Sequence, residues 1–170
     1  MEAGDLDPRQ RELFIELRKA TKKHQYEKAV DLCNQIRAFL PDDVDAVACK
    51  CQCLIHLGES EKALQLAQNP KYQDFLVLEK AYCLYDLGQV NQALAAAREG
   101  LASGVKGSTA EGLLHLEAQL LYKMGEFGTA REKYECLARE SGAGADLPAE
   151  APELAANAYA AAAAAGDAAA

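Results

Sequence analysis

Tryptophan is absent from this 170-residue chain, and aromatic residues make up only 6% of it. Seven of the eleven aromatics are tyrosine, so few rings are available and the placement of each matters. No apolar run approaches the roughly 20 residues that a membrane-spanning helix needs. The N-terminus is acidic and polar, without the hydrophobic segment of a signal peptide. Membrane insertion is therefore not expected. Lys and Arg are missing from residue 141 onwards; the net charge of −8 divides into −4 before that point and −4 after it. Nucleic-acid binding needs a positive patch, because neutralising phosphates supplies most of the affinity. The only cluster of bases is Arg18, Lys19, Lys22 and Lys23, which has the pattern of a solvated helix face. No glycine-rich phosphate loop is present, since the glycines stand where helices stop.

The residue sets of common catalytic and metal centres are also missing. Three histidines, at 24, 56 and 115, are scattered, and no Ser/His/Asp or Cys/His arrangement can be argued from them. Six cysteines, at 33, 49, 51, 53, 83 and 136, fall inside expected helices, where free cysteine fills small gaps in a core. They read as unpaired thiols of a reducing, cytoplasmic compartment. In Cys49-x-Cys51-x-Cys53 successive thiols point to different faces of a helix. Cys49 and Cys53 share a face, but no second Cys or His pair completes a tetrahedral zinc site. Neither catalysis nor a metal or cofactor is expected.

What the chain does have is one turn written four times. Three copies run from glycine to alanine: Gly58–Ala63, Gly88–Ala93 and Gly125–Ala130; a looser copy is His24–Ala29. Amphipathic stretches flank each copy. Helix, glycine turn and helix with an early alanine is the pattern of a tetratricopeptide repeat. The register alanines 29, 63, 93 and 130 are spaced by 34, 30 and 37 residues, around the period of about 34 for that repeat. A small side chain beside the turn lets two antiparallel backbones approach. Ala81 and Ala118 suit the same role one helix earlier. The fold expected is an all-α tetratricopeptide-repeat solenoid of four helix pairs.

The expected pairs cover about 8–41, 42–70, 72–102 and 109–140. Asp7-Pro8 reads as a cap followed by proline at the first helical position. Asp42 or Asp43 caps the third helix. Asn69-Pro70 stops a short fourth helix, and a fifth is expected from about Tyr72 to Leu87. Thr109 is the expected cap of the seventh. Ile15 is expected among the apolar contacts of the first helix, and Tyr26 and Phe127 in the core. Residues 141–149 break the pattern as a linker. The alanine-rich stretch 150–170 is read as a helix that caps the stack or opens a fifth repeat, with a plain linker as the other reading.

In a stack of helix pairs the first helices line the concave face. With the turns as register, that face offers Phe14 and Arg18, then Gln52 and Ile55, then Phe75, Leu78, Tyr82 and Tyr85, then His115, Gln119, Tyr122 and Lys123. Tyrosine suits an interface, giving contact area and a hydrogen bond together. Some of these tyrosines can equally pack between repeats. A groove of this composition takes an extended or helical peptide segment.

Particular runs go further. Leu78-Glu79-Lys80-Ala81-Tyr82-Cys83-Leu84-Tyr85, Asp42 to Lys50 followed by Cys53-Leu54-Ile55, and Gln119 to Lys123 resemble the amino-terminal repeat domain of the seventy-two-kilodalton-subunit family of the signal recognition particle. The likeness covers about residues 8–140. It implies a protein-binding domain that holds the carboxy-terminal region of the sixty-eight-kilodalton subunit. The heterodimer so formed is implied to act in co-translational targeting to the endoplasmic reticulum. The family's RNA contact is implied to lie in a basic region that has no counterpart here, so RNA contact is not expected from this segment. The alanine-rich tail departs from the family pattern. The alternative is a generic tetratricopeptide adaptor or co-chaperone module. Phe14, Gln52 and Tyr82 stand where a chaperone-tail clamp would need Lys and Asn.

Overall fold

The computed structural model describes residues 7–140 and 152–166, and among these there are nine α-helices and no strand. The expected linker 141–149 and the ends of the alanine-rich stretch, 150–151 and 167–170, lie outside the described residues. The chain divides into two compact units at Leu87/Gly88. The first holds α1 (Pro8–Lys22), α2 (Tyr26–Phe39), α3 (Val44–His56), α4 (Ser60–Ala67) and α5 (Val77–Asp86). The second holds α6 (Val90–Ala102), α7 (Ser108–Lys123), α8 (Phe127–Glu140) and α9 (Pro152–Ala164). Within each unit every helix packs on its neighbour in sequence, as in antiparallel helical hairpins laid side by side.

Local chemistry starts and stops these helices. The Asp7 side chain accepts from the Gln10 backbone N–H at 2.7 Å while the Gln10 side chain accepts from the Asp7 N–H, a reciprocal capping box ahead of Pro8. Asp43 caps α3 by accepting from the Ala46 N–H at 2.7 Å. Three of the four turns close in one way. At the second, the Glu59 N–H donates to the Leu54 carbonyl and the Gly58 N–H to that of Ile55. The same two bonds recur from Glu126 to Leu121 and Gly125 to Tyr122, and again from Gln25 to Ala20 and His24 to Thr21. This double closure requires a left-handed residue after the helix. Gly58 and Gly125 supply it, and so does His24, with φ +55°. The copy without glycine therefore makes the same turn.

The alanines at 29, 63, 93 and 130 are fully buried, as are Ala81 and Ala118. In the first unit Leu17, Ala20, Leu32, Cys33, Ile36 and Ala46 form one cluster over α1–α3, with Tyr26 packed against it. Val47, Cys51, Leu54, Ala67, Tyr72, Leu76 and Cys83 form a second over α3–α5. In the second unit Leu113, Leu116, Leu120, Leu121, Tyr134 and Leu137 are buried, and Ala161 of α9 is fully buried in a helix that packs on α8.

Four expectations are corrected. The fifth helix begins at Val77, and Tyr72–Phe75 is a chain of turns. Asn69 accepts from the Lys71 N–H through its side chain and from Tyr72 and Gln73 through its carbonyl, which coils the backbone before a helix can form. The Tyr72 ring is buried, and its hydroxyl donates to the Pro41 carbonyl at 3.2 Å. Phe75, assigned to the first helix of the third pair, therefore stands on this turn. At the start of α7 the cap position is Gly107, with φ +65°, and Thr109 lies inside the helix. Ile15 is 47% exposed, because Phe14 and Leu17 take the two sides of α1 that meet the core.

Candidate peptide-binding surface

In the first unit the residues singled out from sequence fall into two groups. Leu78, Tyr82 and Tyr85 are spaced by four and then three residues, so they share one face of α5. Tyr82 is 42% exposed and Tyr85 half-buried, with ring centroids 6.0 Å apart and planes tilted by 50°. Phe75 is 63% exposed on the turn that leads into α5. Two exposed rings so close in sequence are unusual for a helix that only fills a core. Phe14 and Ile55 are the inward group. Phe14 meets Phe39 edge-on at 6.4 Å within the first cluster, and Ile55 packs against the second. Arg18 is exposed on α1.

Gln52 joins α3 to α5. Its side-chain Nε2 donates to Oε1 of Glu79 at 3.0 Å, and Glu79 is only 9% exposed. Glu79 is three residues from Tyr82, so a fixed carboxylate sits beside the exposed ring. Sequence reasoning passed over Glu79, since a lone acid on a helix normally faces solvent; its burial comes from a contact 27 residues away. At the far end of α5, Asp86 accepts from the Ser60 hydroxyl of α4. The α5 face is thus held from both ends by polar contacts, which limits how far its tyrosines can shift.

In the second unit His115, Gln119 and Tyr122 share one face of α7 by the same spacing. Gln119 is half-buried, and His115 lies edge-on to the buried Tyr134 ring at 5.8 Å. Tyr122 is 39% exposed and meets the half-buried Phe127 ring at 5.1 Å and 64°. Lys123 and Met124 beside it are exposed. Phe127 therefore supports Tyr122 across the Gly125 turn. Met124, 42% exposed, extends the apolar surface and was not foreseen; its place directly before the turn glycine is the signal that marks it.

Beneath that face lies a buried charge cluster. Glu117 of α7 is 3% exposed, and its two oxygens meet Arg98 Nε of α6 and Lys133 Nζ of α8, each at 2.9 Å. Burial opposes the charge, but the hydrogen bond from Arg98 and the Lys133 ammonium beside the other oxygen outweigh it and hold the carboxyl below its ordinary range. The cluster ties three consecutive helices together under the residues that carry the face. Among the described residues no group of His, Cys, Asp and Glu is arranged to hold a metal ion, and no helix is long and apolar enough to cross a membrane.

A family model described as anaphase-promoting complex, cyclosome, subunit 3 matches residues 22–100. The chain is 29% identical over 131 residues to signal recognition particle subunit SRP72 of Dictyostelium discoideum, covering 77% of this chain and 19% of that protein. Against the subunit of the same name from Schistosoma mansoni it is 30% identical over 129 residues, 75% of this chain and 17% of that one. Against that of Homo sapiens it is 28% identical over 132 residues, 76% and 19% respectively. The chain thus spans about a fifth of the length of the curated relatives it matches. The helix pairs are of the tetratricopeptide type, and the resemblance carried by Asp42–Lys50, Leu78–Tyr85 and Gln119–Lys123 to the repeat domain of signal recognition particle subunit SRP72 is borne out over three quarters of this chain.

Proposed function

We propose that this chain is a protein-binding scaffold, not an enzyme, and that each unit offers an aromatic face to a partner's peptide, α5 in the first unit and α7 in the second. The observation that carries the reading is that, of the five exposed large apolar side chains among the described residues, Phe75, Tyr82, Tyr122 and Met124 lie on α5, α7 or the turns beside them, and only Ile15 lies elsewhere. Arg18, Leu78, Tyr85, His115, Gln119 and Lys123 complete the proposed contacts, while Phe14 and Ile55 pack against the core clusters and Gln52 is held by Glu79, so these three are not proposed as anchors. Likeness to SRP72 supports a role in the signal recognition particle; the compartment proposed is the cytoplasm, and the peptide proposed is the carboxy-terminal region of the sixty-eight-kilodalton subunit. RNA contact is not proposed for this chain, in keeping with its net charge of −8. The match to a second repeat family over 22–100 favours, as the alternative, an adaptor for a different peptide.

Calorimetry with the partner's carboxy-terminal segment tests the reading. Binding is expected, and Tyr82→Ala and Tyr122→Ala should each weaken it by about 1–3 kcal/mol while helix content stays unchanged. Absence of heat at several temperatures, together with failure to co-elute, sinks the assignment of this partner. A fall in helix content instead would make the tyrosines core residues.

A further inference from the structure

In the first unit α2 and α4 both pack on α3, and a groove of about 510 Å³ opens along them. Val30 of α2, Leu54 of α3 and Leu66 of α4 give it apolar walls. Leu54 is buried at its base, while Val30 and Leu66 are half-buried, so part of this apolar surface stays in water. Val30, Asn34 and Arg37 are spaced by four and then three residues, so they form one edge of α2. Asn34 accepts a 2.6 Å hydrogen bond from Nζ of Lys50, which lines the groove from α3. Arg37 stands one turn further along α2. Its guanidinium lies 5.9 Å from the centroid of the Tyr72 ring, three residues after Asn69, which lines the groove.

Charge is balanced at one end of this groove and unbalanced at the other. Beside the Gly58 turn, Lys62 is answered by Glu59 at 2.9 Å. At the Arg37 end the neighbouring acids are engaged elsewhere: Asp42 pairs with Lys71, and Asp43 caps α3. Among the described residues no carboxylate pairs with Arg37 or Lys50. Nε of Arg37 is buried without a hydrogen-bond partner, which is uncommon for so polar a group. Lys50 has the neutral Asn34 amide instead of an anion. Burial, and then the Arg37 charge, push the Lys50 pKa down. Two half-buried cations that disfavour each other favour an anion placed against both.

We propose that this groove is a second peptide site, which takes an acidic amphipathic segment of a partner protein. An apolar side chain of that segment seats on Val30, Leu54 and Leu66, and a carboxylate three or four residues along it meets Lys50 and Arg37. Flanking helices with an apolar floor suit a helix laid in the groove, and a carboxylate uses the guanidinium fork, Nε included. The apolar walls set a peptide above a nucleic acid, whose phosphates need many cations; here two are free of acid partners in a chain of net charge −8. The site uses none of the residues on the α5 face and does not depend on what binds there.

The test pans a phage library of random peptides on the intact 170-residue chain and sorts the clones by the variant that loses them. A class with an aliphatic residue followed three or four positions later by Asp or Glu is expected. Made as synthetic peptides, its members should bind Lys50→Gln and Arg37→Gln about tenfold more weakly than wild type. Lys62→Gln should stay within about twofold, because Lys62 is exposed and already paired, and Tyr82→Ala should bind as wild type does. Circular dichroism monitors the fold of each variant. In the wild-type chain the Arg37 Nε–H resonance should move downfield as peptide is added, a readout that stands whether or not the variants fold. Absence of an acidic class, clones lost only in Tyr82→Ala, or an Arg37 Nε–H resonance indifferent to the peptide would each overturn the proposal. Binding of inorganic phosphate or of a polyuridine RNA that moves this resonance more tightly than any peptide would overturn it as well, by making the groove a phosphate site.

Discussion

His24 occupies a position that glycine holds in the other turn copies, and its backbone is left-handed with φ +55°. A left-handed residue with a Cβ carries about 1–2 kcal/mol of strain that glycine does not. Its ring offsets part of this by a 2.8 Å hydrogen bond between Nδ1 and the Tyr26 hydroxyl, but that bond is exposed. His24→Gly should therefore be more stable than His24→Ala by about 1 kcal/mol in urea unfolding. Equal stability would mean that the turn relaxes. Gly58 and Gly128 give a sharper contrast. A Cβ built on either meets nothing within 4 Å, yet Gly58 has φ +72° while Gly128 sits in the first turn of α8 with ordinary helical backbone. Gly58→Ala should lower stability by about 1–2 kcal/mol through the backbone alone. Gly128→Ala should raise it by up to about 1 kcal/mol through helix propensity. Opposite signs from one chemical change, read in parallel denaturant titrations, would isolate the conformational cause.

Helices were legible where their own residues decide them. The caps at Asp7 and Asp43, the glycine stops and the buried alanines all follow from chemistry within a few residues. The start of α5 was not legible, because the apolar spacing of Tyr72, Phe75 and Leu76 suits a helix equally well. The local Asn69 turn is held there by a tertiary contact: Tyr72 is anchored to Pro41, 31 positions earlier. Its ring also lies under Arg37 and Lys71, each 5.9 Å from the centroid. The register spacing of 30 follows from two short helices, the eight residues of α4 and the ten of α5. The same limit applies to the candidate surface. Helical spacing alone puts Tyr82 and Tyr85 on one face of α5, while the Gln52–Glu79 link depends on which helices adjoin. Glu117 makes the point measurable. Glu117→Gln leaves Arg98 and Lys133 without their anion, and breaking a buried ion pair costs about 3–5 kcal/mol. Both bases are partly exposed, at 53% and 34%, so the expected loss at neutral pH is smaller, about 1–3 kcal/mol. A carboxyl held below its ordinary value contributes stability above its unfolded pKa of about 4.3 and loses that contribution as pH falls through the folded value. The gap between wild type and Glu117→Gln should therefore narrow in acid. A gap that stayed constant from pH 7 to pH 3 would remove Glu117 from the pH dependence.

For the whole molecule the decisive element is α9. A helix in a repeat stack packs only on near neighbours, so the last pair needs a cover for its outer face. In the second unit α9 packs on α8 and buries Ala161 completely. Its side chains are mostly alanine, which bury little area each but let two helices come close. Residues 141–170 also carry half of the net charge of −8, and net charge keeps domains apart in solution. Removing them should act in two ways at once. Loss of α9 uncovers α8 and lowers the melting temperature by about 2–4 °C for each kcal/mol removed. The truncated chain, now at −4, should also associate through the uncovered face as its concentration rises. Binding on the α5 and α7 faces should survive, because Tyr82, Tyr122 and the Glu117 cluster all lie before residue 141. Calorimetric melting, light scattering and peptide titration of the chain ending at Glu140 separate these effects. An unchanged melting temperature with a monomeric chain would show that α8 needs no cover. Loss of binding in a stable monomer would place part of the peptide site on α9.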